Sequence, residues 1–229
     1  MRCRLHFIII YLLFLAGKQV SAQKNFRIVN REMVEQLVND ASLATFYPSL
    51  LDRFNAFDTT LTPAEYRLLY FGFVFQPTYS ANASHQKRAM KKAFRTEKYT
   101  DVMRIADKVL QAIPVSLAAN YYRAYAMLSA NELDPSYMKY TKRYSGLRDA
   151  ILSSGDGQRC NSAFKTIFVE DEYEIMYNYF EIDHNISQSL QYPCDRFSVP
   201  PSGTYQKTEI YFDTSESMIS MQKELNSSR

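Results

Sequence analysis

Apolar residues between positions 30 and 153 return every three or four residues, a spacing that gathers them on one face of an α-helix. Amphipathic helices are predicted around 33–41 and around 49–57. The clearest stripe runs over 102–113, with apolar residues at offsets 0, 3, 4, 7, 8 and 11, and a similar stripe follows over 117–128. Because only three residues separate these two stripes, we expect an antiparallel helical hairpin.

The clearest helix start lies at Thr62, whose side chain can cap free backbone N–H groups. Pro63 fits the first helical position, and Glu65 can reach back to complete a capping box. The predicted helix continues to Val74 and ends before Pro77. Its apolar residues cover most of its sides, so we expect it to lie at the centre of the fold.

The composition changes over 153–157, a stretch of serine, glycine and aspartate that marks a candidate domain boundary. Alternating apolar residues beyond it predict strands over 163–169 and 208–213, and shorter ones over 188–190 and 196–199. Residues 172–180 fit either a strand or a helix, and the acidic residues at the start of this segment favour a short helix.

Together these elements predict an α+β fold that is mainly helical. Residues 23–155 would form helical hairpins, and residues 156–229 a small α/β region whose antiparallel sheet packs on the helices. The chain has 18 Tyr, 15 Phe and no Trp, and packing between small elements explains these rings better than an aromatic binding groove does.

The N-terminus has the three parts of a secretory signal peptide. Arg2 and Arg4 precede an apolar run over 7–16, and small residues end the segment at Ala22. We therefore expect residues 1–22 to be a signal peptide, cleaved near Ala22, and the product to reach the periplasm or the extracellular space. The apolar run is shorter than the roughly 20 residues that a membrane-crossing helix needs, so no permanent span is expected. An uncleaved N-terminal anchor is the alternative interpretation.

Removal of that segment changes the charge of the chain. The full sequence has 27 Lys and Arg against 24 Asp and Glu, but three of the basic residues and no acid lie within 1–22. The mature product therefore has a net charge near zero and no basic stripe, which argues against a nucleic-acid partner.

Two cysteines follow the signal segment, Cys160 and Cys194. In an oxidising compartment they could form a disulfide, worth about 4 kcal/mol for a loop of this length. Two separate buried thiols are the alternative, because sequence does not show their geometry.

Candidate catalytic and metal-binding residues are few. Asp183 and His184, with Glu181 nearby, form an acid–histidine cluster, but metal sites usually bring two or more spaced His or Cys ligands. We expect a solvent-exposed loop there, and no metal, cofactor or catalytic residue. A hydrolase that uses carboxylates such as Asp171 and Glu172 is the alternative. It predicts a pocket between the sheet and the helices, with an acid of raised pKa.

Two resemblances follow from these motifs. Residues 98–114 resemble the second helix of a tetratricopeptide repeat, and 118–128 the first helix of a following unit, although Met90 and Ala124 stand where that repeat has small, glycine-like positions. Five short sequence landmarks, taken in order along the chain, resemble a family of exported bacterial proteins known as a domain of unknown function. These landmarks are residues 61–66, 70–76, 154–157, 171–175 and 211–213. That resemblance implies fold and localisation, and offers no catalytic residue.

The resulting functional hypothesis is a non-enzymatic interaction or scaffold protein of the cell envelope. Tetratricopeptide-like hairpins would present a concave face to a protein or peptide partner. The candidate partner-binding residues lie together on the second helix of the hairpin: Tyr121, Tyr122, Arg123 and Tyr125.

Overall fold

A computed structural model describes residues 29–81, 85–130 and 134–227, so the predicted signal peptide lies outside the described residues. The helices within these ranges are α1 (Arg31–Asn39), α2 (Tyr47–Asn55), α3 (Pro63–Gly72), α4 (His85–Arg95), α5 (Tyr99–Ala112), α6 (Leu117–Ala130), α7 (Tyr137–Leu152), α8 (Val169–Asn178) and α9 (Ser215–Ser227). The strands are β1 (Phe164–Lys165), β2 (Ser187–Gln191), β3 (Cys194–Ser198) and β4 (Glu209–Asp213). The fold is therefore α+β and mainly helical, as predicted.

Local side-chain chemistry sets where the first helices begin. The side chain of Asn30 accepts a hydrogen bond from the Met33 N–H and caps α1. At α3 the predicted capping box is present: the Thr62 hydroxyl accepts from the Glu65 N–H at 3.2 Å, and the Glu65 carboxylate accepts from the Thr62 N–H at 2.7 Å. Pro63 occupies the first turn of α3.

Helices α4 to α7 pack successively, each on the next, and short connections make neighbouring helices antiparallel. The turn between α5 and α6 is buried, and the Asn120 amide donates to the carbonyls of Pro114 at 3.2 Å and Ser116 at 2.9 Å. Small and aliphatic side chains, including Met90 and Ala106, form a separate hydrophobic cluster between α4, α5 and α6. The structure thus contains helical hairpins, and their likeness to tetratricopeptide repeats stays a prediction.

The sheet has the strand order β1-β4-β3-β2 and is mixed. Strands β2, β3 and β4 are antiparallel, but β1 runs parallel to β4, with Phe164 opposite Phe212. The prediction of an antiparallel sheet is therefore wrong for β1. The long connection from β1 to β4, which contains α8 and the β2–β3 hairpin, allows this parallel pairing.

The C-terminal third departs from the predictions at one strand and at one helix. The strand expected over 163–169 is shortened to Phe164–Lys165, because the chain turns into α8 at Val169. The segment 172–180 is mostly helical, as favoured, and its acidic first turn suits a helix N-terminus. The sequence patterns did not indicate α9.

The main hydrophobic core is shared by the first three helices, α7, α8 and the sheet. Its largest members include Tyr70, Phe73, Phe168 and Phe212, each at most 1% exposed. The regions predicted as 23–155 and 156–229 both contribute to this core, and their division into separate units stays a prediction.

Cys160 and Cys194 are joined by a disulfide, with their Cα atoms 5.7 Å apart. The bond ties the turn before β1 to the start of β3. Across the ranges that the structure describes, no helix combines the length and apolar character that a bilayer crossing requires.

Candidate functional site

An open groove of about 670 Å³ lies between the N-terminal half of α3 and the face of α7 that packs on it. We call it the α3/α7 groove. Its walls are mostly apolar or small side chains, with a few charged ones: Leu61, Thr62, Pro63, Ala64, Tyr66, Arg67, Lys142, Ser145, Gly146, Asp149, Ala150 and Ser153. A concave apolar surface between two packed helices is a common form of peptide-binding site.

The floor of the groove depends on one glycine of α7. A Cβ atom added at Gly146 would lie 2.6 Å from Cζ of the Tyr66 ring, which is closer than such atoms approach in proteins. Tyr66 is 5% exposed and packs against Phe54 with ring centroids 6.1 Å apart. Gly146 therefore allows α7 to approach α3 closely enough for this ring to form the floor.

A smaller pocket of about 180 Å³ adjoins the groove and shares Leu61, Tyr66 and Lys142 with it. We call it the Arg143 pocket. Its other lining residues come from the end of α2, the loop after it and the first half of α7: Phe54, Phe57, Asp58, Thr59, Met138, Lys139 and Arg143.

Arg143 is 7% exposed and its guanidinium group packs against aromatic rings. The guanidinium carbon lies 4.4 Å from the ring centroid of Phe54 and 3.6 Å from that of Phe57. Its Nε and Nη2 groups both donate to the Phe54 carbonyl, at 3.1 and 2.5 Å. Burial lowers the pKa of Arg143 to about 10, so the group stays charged at neutral pH. Among the described residues it has no carboxylate partner.

Two lysines lie within one turn of Arg143 on α7. The Lys142 ammonium group donates to the Thr59 carbonyl, and that of Lys139 lies 5.4 Å from the ring centroid of Phe57. Both lysines are exposed at the rim and, within the described part of the chain, neither forms an ion pair. Three basic side chains therefore line the pocket, and within the described part of the chain none of them forms an ion pair.

The acidic side chains of the groove and the pocket are already engaged. Asp58 accepts from Arg53 at 2.7 Å, and hydrogen bonds from Thr60 followed by the one from Arg53 lower the pKa of Asp58 to about 2. Asp149 accepts from Arg148 at 2.8 Å. Neither Arg53 nor Arg148 lines these cavities. Each of the two carboxylates is therefore paired with an arginine that lies outside the cavity lining.

The tyrosines predicted to bind a partner are brought together on α6, but their rings take part in helix packing. Tyr122 and Tyr125 lie 4.7 and 4.9 Å from the Phe94 ring of α4, and Tyr121 lies 5.2 Å from the Tyr144 ring of α7. Burial raises the pKa of Tyr121 to about 12. The three side chains are half-buried, so part of each contributes to the contacts between α4, α6 and α7. Their partner-binding role stays a prediction.

Arg123, the fourth predicted residue, is also engaged. Its Nε donates to Asp107 Oδ1 of α5 at 2.8 Å, and its guanidinium lies 5.1 Å from the Tyr140 ring of α7. It thereby links three helices of the bundle.

The carboxylates named in the hydrolase hypothesis are buried in the first turn of α8. Asp171 is 1% exposed and accepts a 2.6 Å hydrogen bond from the Tyr70 hydroxyl. Glu172 is 0% exposed, and neither of its oxygens has a hydrogen-bond donor among the described residues. Asp195, on β3, is a neighbouring acid whose charge acts on Glu172. Only a protonated Glu172 can donate to Asp195, because two carboxylates are both acceptors.

Burial first, and then the charges of Asp195 and Asp171, raise the pKa of Glu172 well above its usual range. An acid of raised pKa is one of the two features that the hydrolase hypothesis predicts. The other feature, a pocket, is not provided by the α3/α7 groove or the Arg143 pocket, which are lined by neither Asp171 nor Glu172.

Residues 32–223 match the family described as Domain of unknown function (DUF4919). The chain belongs to this family. The match runs from α1 into α9 and includes all residues that line the α3/α7 groove and the Arg143 pocket. The resemblance to a family of unknown function is thereby confirmed, whereas export stays a prediction. No curated protein and no solved structure matches the chain.

In this DUF4919 domain, Asp183 and His184 lie in an exposed loop, with Nδ1 of the histidine 2.7 Å from Oδ1 of the aspartate. That contact lowers the pKa of Asp183. Over the described ranges, no group of three or more His, Cys, Asp or Glu side chains is arranged to hold a metal ion.

Sequence reasoning missed the basic cluster of Lys139, Lys142 and Arg143. The available signal was their spacing of three and four residues, which places them on one face of a helix. Such a face is ordinarily solvated, and only the contact with Phe54 and Phe57 shows that Arg143 is buried instead.

Proposed function

We propose that the protein binds a polypeptide partner in the α3/α7 groove and acts as a non-enzymatic interaction or scaffold protein of the cell envelope. The observation that carries this proposal is the open, mainly apolar groove of about 670 Å³ between two helices that the main core holds in place. A rigid groove suits a peptide segment, because the binding surface does not have to be ordered on binding.

Two features support a site of action outside the cytoplasm. The N-terminal sequence has the plan of a signal peptide. Cys160 and Cys194 are paired in the structure, and disulfides persist in oxidising compartments such as the periplasm. The cell-envelope location is part of the proposal.

The test is site-specific photo-cross-linking in cells. A photo-reactive amino acid is placed at Ala64, which is exposed in the groove, and at Lys108, which is exposed on α5 away from it. We expect a discrete cross-linked partner from position 64 and none from position 108.

A groove-filling variant, Ser145→Phe, makes that experiment specific. We expect it to abolish the cross-link from position 64 while far-UV circular dichroism and thermal unfolding stay close to wild type. A cross-link that persists in Ser145→Phe would show that the partner does not occupy the groove. Tyr122→Ala and Arg123→Ala test, in the same assay, whether the predicted residues of α6 contribute to binding. If the cross-link from position 64 is undiminished in these variants, those residues are not part of the binding surface.

The raised pKa of Glu172 beside Asp195 favours one second candidate, a carboxylate-based envelope hydrolase. Its test is hydrolysis of a panel of chromogenic esters and glycosides by the purified protein. Activity that is lost in both Glu172→Gln and Asp195→Asn would support a hydrolase, and the absence of turnover by the wild type would count against it.

A further inference from the structure

We infer that the Arg143 pocket receives the carboxylate of an acidic side chain on the bound polypeptide, an inference that rests on the proposed function of the α3/α7 groove. The partner is thus an acidic peptide segment, whose apolar residues occupy the groove and whose Asp or Glu side chain enters the pocket.

The first argument is charge. The groove and the pocket together are lined by four basic residues and two acidic ones: Arg67, Lys139, Lys142, Arg143, Asp58 and Asp149. Both acidic residues are ion-paired with arginines that lie outside the lining. The joined surface therefore carries an excess of positive charge, which is complementary to an acidic ligand.

The second argument is the state of Arg143. This side chain is more than nine-tenths buried, lines the pocket, and has no carboxylate partner among the described residues. Its bonds to the Phe54 carbonyl use Nε and Nη2, and within the described ranges Nη1 has no hydrogen-bond partner. A buried guanidinium usually pairs with an acid, because its desolvation is otherwise uncompensated. A carboxylate in the pocket would supply that missing partner.

The third argument is the surrounding surface. The rings of Phe54 and Phe57 hold the guanidinium carbon within 4.4 and 3.6 Å of their centroids, which fixes the orientation of the group before any ligand arrives. Low local polarity strengthens an ion pair formed there. Lys139 and Lys142 stand at the rim, where they can attract the acid and add to its binding.

The experiment uses the mature protein and two pooled synthetic peptide libraries. Both are acetylated at the N-terminus and amidated at the C-terminus, with randomised apolar residues around a central position. That position is glutamate in one library and glutamine in the other, so a side chain is the only source of a carboxylate. Peptides retained by the immobilised protein are identified by mass spectrometry, and their dissociation constants are measured by fluorescence polarisation.

We expect glutamate peptides to bind about tenfold more tightly than their glutamine counterparts, with a preference that declines as salt is added. The double variant Lys139→Gln/Lys142→Gln should weaken glutamate peptides by about tenfold and leave glutamine peptides unchanged. Arg143→Lys, which keeps the charge but loses the planar fork, should also reduce the preference. The control Lys108→Gln/Lys207→Gln removes the same charge from two exposed lysines outside the site and should change neither library.

The outcomes separate the two proposals. Equal binding of the glutamate and glutamine libraries would overturn the acidic-ligand inference and leave the groove proposal standing. If the immobilised protein retains peptides from neither library, the result would count against both the groove proposal and the acidic-ligand inference. A glutamate preference that survives in the Lys139→Gln/Lys142→Gln and Arg143→Lys proteins would place the carboxylate elsewhere and overturn the inference. Because the two lysines are exposed, the double variant tests the pocket even if Arg143→Lys fails to fold.

Discussion

Replacing Glu172 by glutamine tests the buried carboxyl pair between α8 and β3. Glu172 is 0% exposed and faces Asp195, with Asp171 on its own helix and Tyr173 as further titratable neighbours. Its raised pKa means that the folded protein holds this carboxyl group protonated over a pH range in which the unfolded chain has lost the proton. Glutamine keeps the shape and supplies an N–H donor to Asp195, but it does not titrate.

The sign and size of the effect follow from proton linkage. Below the ordinary pKa of 4.5, Glu172 is protonated in both the folded and the unfolded states and adds no pH dependence. Above it, the folded state binds one more proton than the unfolded state. The free energy of unfolding then falls by about 1.4 kcal/mol per pH unit until the folded-state pKa is reached. Glu172→Gln removes this loss. The free energy of unfolding of the variant should therefore rise progressively relative to that of wild type as pH increases from about 4.5.

The assay is urea unfolding at a series of pH values with the disulfide intact, monitored by tyrosine fluorescence and circular dichroism. The matched control is Glu32→Gln, which removes an exposed acid in the first turn of α1. A wild-type-minus-variant difference that stays constant from about pH 4.5 to 7 would refute the reasoning, because it would mean that Glu172 takes up no extra proton on folding.

Two further predictions concern stability. Cys160→Ser/Cys194→Ser opens a loop with a sequence separation of 34, so the free energy of unfolding should fall by about 4 kcal/mol relative to the oxidised wild type. Urea midpoints with and without reductant measure this, and a reduced wild type as stable as the oxidised protein would contradict it. Gly146→Ala places a Cβ against the buried Tyr66 ring. Overpacking of about 1–3 kcal/mol should outweigh the gain of about 1 kcal/mol in helix propensity. A thermal midpoint at or above that of wild type would show that Tyr66 can move aside.

The helices could be predicted where the deciding interactions are local. Thr62, Pro63 and Glu65 lie within four residues, so the start of α3 follows from the sequence. The hairpin of α5 and α6 follows likewise from two stripes and a short joint. The pairing of β1 with β4 does not, because Phe164 and Phe212 are far apart in the sequence, with α8 and the β2–β3 hairpin between them.

The candidate site lies beyond sequence reasoning for the same reason. Arg143 is buried by a carbonyl and two rings from α2 and the loop after it, and the Phe54 carbonyl lies 89 residues earlier in the chain. In the sequence, Arg143 looks like part of an ordinary polar helix face, because Lys139 and Lys142 lie within one turn of it. The sequence instead suggested the tyrosines of α6 as binding residues. Their packing on Phe94 and Tyr144 shows that a cluster of aromatic residues can form contacts between helices.

The disulfide also changes what unfolding means for this chain. With the Cys160–Cys194 bond intact, the unfolded molecule is a closed ring that carries two tails. Glu172 lies within the ring, and Asp195 is the first residue of the tail that leaves it. The two carboxyl groups therefore stay tethered when all other structure is lost. The ring also contains the exposed loop around His184, so a backbone cut there leaves both halves of the protein in one covalent molecule.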